Sequence, residues 1–333
     1  MTMTRIKEVT FTSGPSSPPC TLQHAAPAVV FSVGGYTWNF FHVFIDAFVP
    51  LFITANSIFP DQDIVLVIVD AQDWWVREYG DLFHSFSKYP IVNLGNDADN
   101  STRCFPSATV GLISHGFLNI DPKLIPNSKT IVDFHRLLEK TYCQGHAAVT
   151  TSSNPRPRLI LVSRSGGVGR VILNSAEVKK AAEEEGFEVI DFEPRHGTPL
   201  HEACRLMSSS HAVLGVHGAA LTYGLFLRPA SVMVQVVGIG LEKVAELCFG
   251  KVFRDMGLDY LEYKIGVEES SLVDRYGKDD VVVRNPNALQ IEWYDEIMEV
   301  YLRQQNVKLN ISRLGGYLKK AYEKAKIVMV NGG

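Results

Sequence analysis

The sequence predicts an α/β protein built from two doubly wound domains, and three observations carry that reading. Apolar, β-branched runs such as Val29-Val30-Phe31-Ser32-Val33 and Ile64-Val65-Leu66-Val67-Ile68-Val69 have the continuous hydrophobicity of strands covered on both faces of a parallel sheet. Segments of helical period alternate with such runs along the chain. A Thr, Ser, Asn and Pro-rich stretch over 146–157 divides the alternation in two, and 333 residues suffice for two domains at roughly 150 residues each. The expected organisation is an extended or mobile segment at 1–27, a Rossmann-like domain at 28–145, the linker, a second Rossmann-like domain at 158–285 and C-terminal helices at 286–333. The cleft between two such domains is the default ligand site.

The elements follow in order. The first strand ends in Gly34-Gly35, and a helix fits Asn39 to Ile58, where Phe40, Phe41, Phe44, Ile45, Phe48, Leu51 and Phe52 form a broad apolar face. Pro50 should kink or split it. After the strand at 64–69, Asp73 is placed to cap a helix running through Phe86. Short strands at Ile91–Leu94 and Thr109–Ile113 and a helix near Lys129–Tyr142 complete the first half. In the second, strands are expected at Arg158–Ser163, Glu188–Asp191, His211–Gly215 and Val232–Val237. Between them fall helices at Ser175–Glu185 and Pro199–Met207 and one opening near Gly218, with further helices at Ala288–Gln305 and Ser312–Lys326.

Composition narrows the function classes. Lys+Arg 32 against Asp+Glu 36 gives a net charge of -4, which supplies no basic field for nucleic acid, so no nucleic-acid partner is expected. Uninterrupted apolar stretches fall far short of the roughly 20 residues that cross a bilayer. Cys20, Cys104, Cys143, Cys204 and Cys248 are too few and too scattered for a disulfide scaffold, and no CxxC pair suggests zinc. If four of them bridged, one would be left over. Two N-x-S/T triplets, at Asn100 and Asn310, permit glycosylation, while Met1–Ser17 lacks a basic-then-apolar signal pattern.

Three constellations could carry chemistry. Gly215-Val216-His217-Gly218-Ala219-Ala220-Leu221-Thr222 follows an apolar strand and opens a helix, so its amides could hold a diphosphate; the alternative is a tight turn with a core-satisfied His217. It is not GxGxxG, which argues against an NAD-linked oxidoreductase. Arg164, at the carboxyl edge of the strand after the linker, with Arg170 and Asn174 beyond a Gly166-Gly167-Val168-Gly169 loop, faces the edge where open α/β sheets bind ligands. His42 and Asp46 lie at i, i+4 on an aromatic helix, either as a structural pair or as a general base for a hydroxyl. Asp61-Gln62-Asp63 has a metal-binding D-x-D form but precedes its strand, at the wrong edge, and is taken as a loop. Absence of G-x-S-x-G, H-E-x-x-H and a P-loop lysine disfavours serine hydrolases, zincins and P-loop NTPases.

These residues together resemble the plant members of glycosyltransferase family 61, the group of grass xylan arabinosyl- and xylosyltransferases. The resemblance runs from about Lys7 to Lys326. It rests on Gly34-Gly35-Tyr36-Thr37, Asn39-Phe40-Phe41-His42 with Asp46, Asp73-Trp74-Trp75-Val76-Arg77 and Phe105-Pro106-Ser107-Ala108-Thr109-Val110-Gly111-Leu112-Ile113. It continues through Leu161-Val162-Ser163-Arg164, Gly169-Arg170-Val171-Ile172-Leu173-Asn174, Gly215 to Thr222, Phe226-Leu227-Arg228-Pro229 and Ile265 to Leu272.

The resemblance implies a GT-B fold, two Rossmann-like domains facing a central cleft, with the nucleotide sugar on the second and acceptor groups on the first. It implies an inverting transfer of a pentose, arabinofuranose favoured over xylose, from a UDP-sugar to xylan or a xylo-oligosaccharide in the Golgi lumen. Arg164, Arg170, Asn174, Gly215, His217, Gly218 and Ala219 then become donor-binding residues, and Asp46 or His42 the base. With arginines and a helix terminus taking the diphosphate charge, no metal or other cofactor is expected. The family's usual membrane anchor and stem would precede the region where this chain starts. Trp38, Val43, Ile45, Tyr223 and Ala230 depart from the residues the resemblance leads one to expect, which raises the alternative of a non-catalytic paralogue keeping the fold.

Overall fold

The computed structural model describes residues 9–33, 35–36, 38–94, 101–143, 156–165, 167–288 and 297–331. The chain divides into two compact units, Met1–Thr141 and Tyr142–Gly333. Most of the expected linker, and Asn100, Gly34, Thr37 and Gly166 among the motif residues, lie outside the described residues.

In the first unit the strands are β1 (Leu22–Gln23), β2 (Ala28–Phe31), β3 (Val65–Ile68), β4 (Val92–Asn93), β5 (Arg103–Cys104) and β6 (Ala108–Val110). Four of them form a parallel sheet in the order β4-β3-β2-β6, while β1 and β5 pair separately. Every side chain of β2 and β3 is buried, as the unbroken apolar runs require. The helical run after β2 opens at Asn39, whose side chain accepts a hydrogen bond from Phe41 N at 3.1 Å. It is α-helical over Phe40–His42, widens to a π-helix over Val43–Phe48 and returns to α-helix over Val49–Ile58. Pro50 cannot donate, and its ring would crowd the carbonyl four residues back; the wide turn just before it, with Val49 N bonded to Phe44 O, relieves that conflict.

Phe40–Ile58 is long and apolar enough to cross a membrane by length and composition, which corrects the expectation from uninterrupted stretches alone. Two-thirds of its apolar window is buried, as in the core helix of a globular unit. Its Phe48 packs on Trp75 and Phe83 with ring centroids 5.8 and 5.0 Å apart, and all three are fully buried. The expected single helix after β3 is two, Asp73–Glu78 and Gly80–His84, and its N-cap is Gln72, with Asp73 inside the first turn. Asp61–Asp63 is a loop before β3, and Asp63 pairs with Lys88.

The second unit holds β7 (Arg158–Val162), β8 (Glu188–Phe192), β9 (Ala212–Val216), β10 (Val232–Val237) and β11 (Asp259–Lys264), all parallel, in the order β11-β10-β9-β7-β8. The edge strand β11 is an addition to the strands expected from sequence; its half-buried Asp-Tyr-Leu-Glu-Tyr-Lys lacks a continuous apolar run. The C-terminal helix Ile311–Asn331 lays Leu314, Leu318, Ala321 and Ala325 into the core formed by Leu159, Leu161, Leu214, Val234 and Val236. Asn310 is exposed and caps this helix, its Oδ1 accepting from Arg313 N at 3.0 Å. Two disulfides, Cys20–Cys104 and Cys143–Cys204, correct the expectation from cysteine scatter, and Cys248 is left as a buried thiol.

Candidate functional site

Strand order locates the site before any side chain is considered. In the second unit β8 lies on one side of β7 and β9 on the other, so the direction of winding reverses between β7 and β9. Ligands of doubly wound sheets bind outside the carboxyl ends of the strands at such a reversal. Arg164 stands just beyond the end of β7, and His217-Gly218 just beyond the end of β9. Topology thus brings together residues more than fifty positions apart.

Gly218 explains how closely. Its φ of +152° is a conformation open to glycine alone, and a β-carbon there would lie 2.2 Å from Arg164 Nη2 and 2.6 Å from Arg170 Nη1. Two guanidinium groups therefore converge on one bare stretch of backbone. Arg170 Nη1 donates to the carbonyl of His217 at 3.1 Å, while its Nε is buried without an acceptor among the described residues. Among those residues neither arginine pairs with a carboxylate. Burial, and then the neighbouring Arg164, holds the Arg170 guanidinium down at about 9; burial likewise lowers Arg164. Both side chains are half-buried, and a partly desolvated, uncompensated double positive charge is costly unless an anion joins it.

A 3₁₀-helix, Ala219–Phe226, begins immediately after Gly218. The expected helix is thus a tighter one. Leu221 N bonds to Gly218 O at 2.9 Å, and the first-turn amides of Ala219 and Ala220 have no acceptor within the helix. Gly215 serves packing: a β-carbon there would sit 2.9 Å from both Val162 and Leu221.

His217 is buried and hydrogen-bonded within the unit, as the reading of a core-satisfied histidine expects. Its Nδ1 accepts from Gln235 Nε2 at 2.9 Å, and Gln235 Oε1 in turn accepts from Tyr260 OH at 2.9 Å. This chain leaves the proton of the neutral imidazole on Nε2. Burial, then Arg170 and Arg164, pushes the imidazole down to about 3, so it stays neutral beside the cationic pair. Gln235 was legible as the one polar residue of Val232-Met233-Val234-Gln235-Val236-Val237; Tyr260, on the unforeseen edge strand, gave no signal.

Asn174 stands apart from the arginines in role. Its amide donates to Leu309 O and accepts from Leu309 N, both at 2.9 Å, anchoring the end of the loop to a segment 135 positions later. In the first unit His42 Nδ1 and Asp46 Oδ2 lie 2.9 Å apart, as the i, i+4 spacing predicts, at the mouth of the π-helix. Both side chains retain partial exposure. No group of three or more metal-ligating side chains occurs among the described residues.

The profile described as Glycosyltransferase 61 matches residues 40–234, a span that takes in His42, Asp46, both arginines and the Gly218 turn. The chain belongs to glycosyltransferase family 61. Among its family 61 relatives is a xylan glycosyltransferase of Arabidopsis thaliana, 35% identical over 92% of this chain and 64% of its own length. An alpha-1,3-arabinosyltransferase of Oryza sativa subsp. japonica is 35% identical over 96% of this chain and 55% of its own. A beta-1,2-xylosyltransferase of the same plant is 36% identical over 96% and 68%. The chain thus spans between about half and two-thirds of the length of these relatives.

Proposed function

We propose that this family 61 chain is an inverting pentosyltransferase that moves arabinofuranose from a UDP-sugar to xylan. The observation that carries the reading is the meeting of Arg164 and Arg170 at Gly218, a half-buried cationic cradle at the switch point of the second sheet. A nucleoside diphosphate supplies the missing anion, and as leaving group it gains charge as the glycosidic bond breaks. Fixed guanidinium groups and the amides of Ala219 and Ala220 stabilise that charge without reorganising. Arg164, Arg170, His217, Gly218 and Ala219 take the donor role; Gly215 and Asn174 support the turn and the loop. Because two guanidinium groups do the electrostatic work, chelator should leave the rate unchanged.

In the first unit, the Asp46 carboxylate accepting the Nδ1–H of His42 leaves a lone pair on Nε2. His42 is then the base and Asp46 its orienter. The acceptor hydroxyl gives its proton to Nε2 as its oxygen bonds to the sugar C1, and the C1–O bond to UDP breaks on the opposite face, inverting the anomeric centre. We infer a GT-B arrangement of the two Rossmann-like units for this chemistry. A Golgi lumen location is supported by two disulfides, which persist in oxidising compartments, and by the exposed Asn310 sequon.

The relatives named for arabinosyl and xylosyl transfer stand at nearly equal identity, so UDP-xylose is the specific second donor to test. The test is a screen of UDP-arabinofuranose, UDP-arabinopyranose, UDP-xylose and UDP-N-acetylglucosamine against xylohexaose, with and without chelator. UDP at about 100 times its dissociation constant should stabilise the native state by about 2.7 kcal/mol. Arg164→Ala and Arg170→Ala should each weaken UDP binding roughly tenfold or more, the effect of about 1.5–3 kcal/mol for a hydrogen bond to a charged group. Unchanged UDP affinity in both variants, or activity abolished by chelator, would overturn the mechanism.

A further inference from the structure

The first unit has a switch point of its own. Its order β4-β3-β2-β6 reverses between β2 and β6, so a ligand crevice is expected outside the carboxyl ends of those two strands. The segments leaving those ends carry aromatic rings. After β2 come Tyr36 and Trp38, 41% and 64% exposed; after β6 comes Phe117, 49% exposed. Ring contacts run from Trp38 to Tyr36 at 6.3 Å, Tyr36 to His42 at 4.8 Å with planes 30° apart, His42 to Phe41 at 5.9 Å and Phe41 to Phe117 at 6.2 Å. His42 and Asp46, 24% and 34% exposed, sit in the middle of the series. The large core aromatics of the same unit, Phe44, Phe48, Trp75 and Phe83, are fully buried by contrast.

We propose that Trp38, Tyr36 and Phe117 are the stacking platform for the uncharged pyranose rings of the acceptor chain. The inference deepens the proposed function and rests on its placing the base at His42. Whatever hydroxyl His42 deprotonates is carried on a ring lying against the surfaces around His42, and those surfaces are aromatic faces. A pyranose whose hydroxyls are all equatorial presents only C–H groups on its two faces, which pack on a π-face with its negative quadrupole, while its rim of hydroxyls stays free to reach the imidazole. A xylopyranose, lacking an exocyclic hydroxymethyl group, leaves both faces clear. An acidic chain would meet the Asp46 carboxylate and is disfavoured. The platform therefore selects a neutral pentosan.

The experiment measures xylohexaose binding by the full chain without donor, and then acceptor KM and kcat with the active UDP-sugar. Trp38→Ala should weaken xylohexaose at least tenfold and Phe117→Ala three- to tenfold, both with UDP affinity unchanged, while Trp38→Phe recovers most of the loss. Tryptophan emission of the wild type should shift to the blue on adding xylohexaose, and the shift should vanish in Trp38→Phe. Asp46→Asn should keep xylohexaose affinity within twofold and lower kcat. Acceptor KM unchanged in both alanine variants of an active enzyme would overturn the platform and leave the proposed function standing. Saturable, Trp38-dependent xylohexaose binding by a chain that transfers no sugar would do the reverse. Equal losses of melting temperature and UDP affinity in Trp38→Ala would mark a folding role and also overturn the proposal.

Discussion

Gly218 and Ala230 both sit at positive φ, and the difference between them is testable. At Gly218 even a methyl group has no room beside the two guanidinium groups, so Gly218→Ala should abolish the UDP-induced thermal shift and lower the melting temperature. Ala230, at φ +65° on an exposed turn, adopts a conformation that costs an L-residue roughly 1–2 kcal/mol. Glycine is the residue the family resemblance leads one to expect there, and Ala230→Gly should raise the urea midpoint, a gain of about 1 kcal/mol after the extra unfolded-state entropy is counted. The other departures fall into place individually. Val43, Ile45 and Tyr223 are buried packing residues, whereas Trp38 is exposed and packs on Tyr36, whose ring in turn lies on His42. At this scale the placement of Arg164 and Gly218 just beyond strand ends was readable from sequence, because position at a strand's carboxyl edge follows from local pattern. Asn174 was not, because its partner, the backbone of Leu309, lies 135 positions away.

At the level of elements, the loop carrying Arg170 is held from behind. Arg170 itself is at φ +58°, Val171 N donates to Asn306 Oδ1 at 3.0 Å, and Val307 N donates to Val171 O at 2.9 Å. Leu173 N closes the set on Val307 O at 2.8 Å. Gly169 is pressed so closely on the carbonyl of Arg303 that a β-carbon would fall within 2.3 Å of it. Asn306→Ala should therefore weaken UDP severalfold by releasing Arg170, and Asn306→Asp, which keeps the accepting oxygen, should restore most of the affinity; calorimetric titration with UDP checks both. Helix-period reading foresaw the Ser175–Glu185 helix to the residue, and the proline rule foresaw an interruption at Pro50. Neither foresaw that the interruption takes the form of a π-helical turn, since hydrogen-bond register within a helix is set by packing around it. The 3₁₀ character of Ala219–Phe226 has the same origin.

For the whole molecule, two buried imidazoles set an acid limit on stability. His217 is held near 3 by burial and by Arg170 and Arg164; His211, whose Nδ1 accepts from Arg158 N, is held at about 4 by burial and then by Arg228 and Arg158. Unfolded, both would titrate near 6.5. The unfolded chain therefore binds more protons than the folded one between those values, and stability must fall as pH drops from 6.5 toward 4. Each histidine contributes at most about 1.4 kcal/mol per pH unit. Urea unfolding at pH 7.5, 6 and 5 should show this decline, and His211→Gln should make it shallower.

Sequence by itself determined the α/β class, the strands whose apolar runs leave no alternative, the His42–Asp46 pair and the family. These follow from local periodicity, spacing and ordered motifs, all of which are properties of neighbouring residues. Only the tertiary structure decided the order in which strands stack, and with it the two switch points. It also decided the convergence of both arginines on Gly218, the Tyr260–Gln235–His217 chain and the meeting of Phe117 with Phe41. Each of these joins residues far apart in sequence, and their distance in space is fixed by how whole sheets bury their faces, a constraint no local window contains.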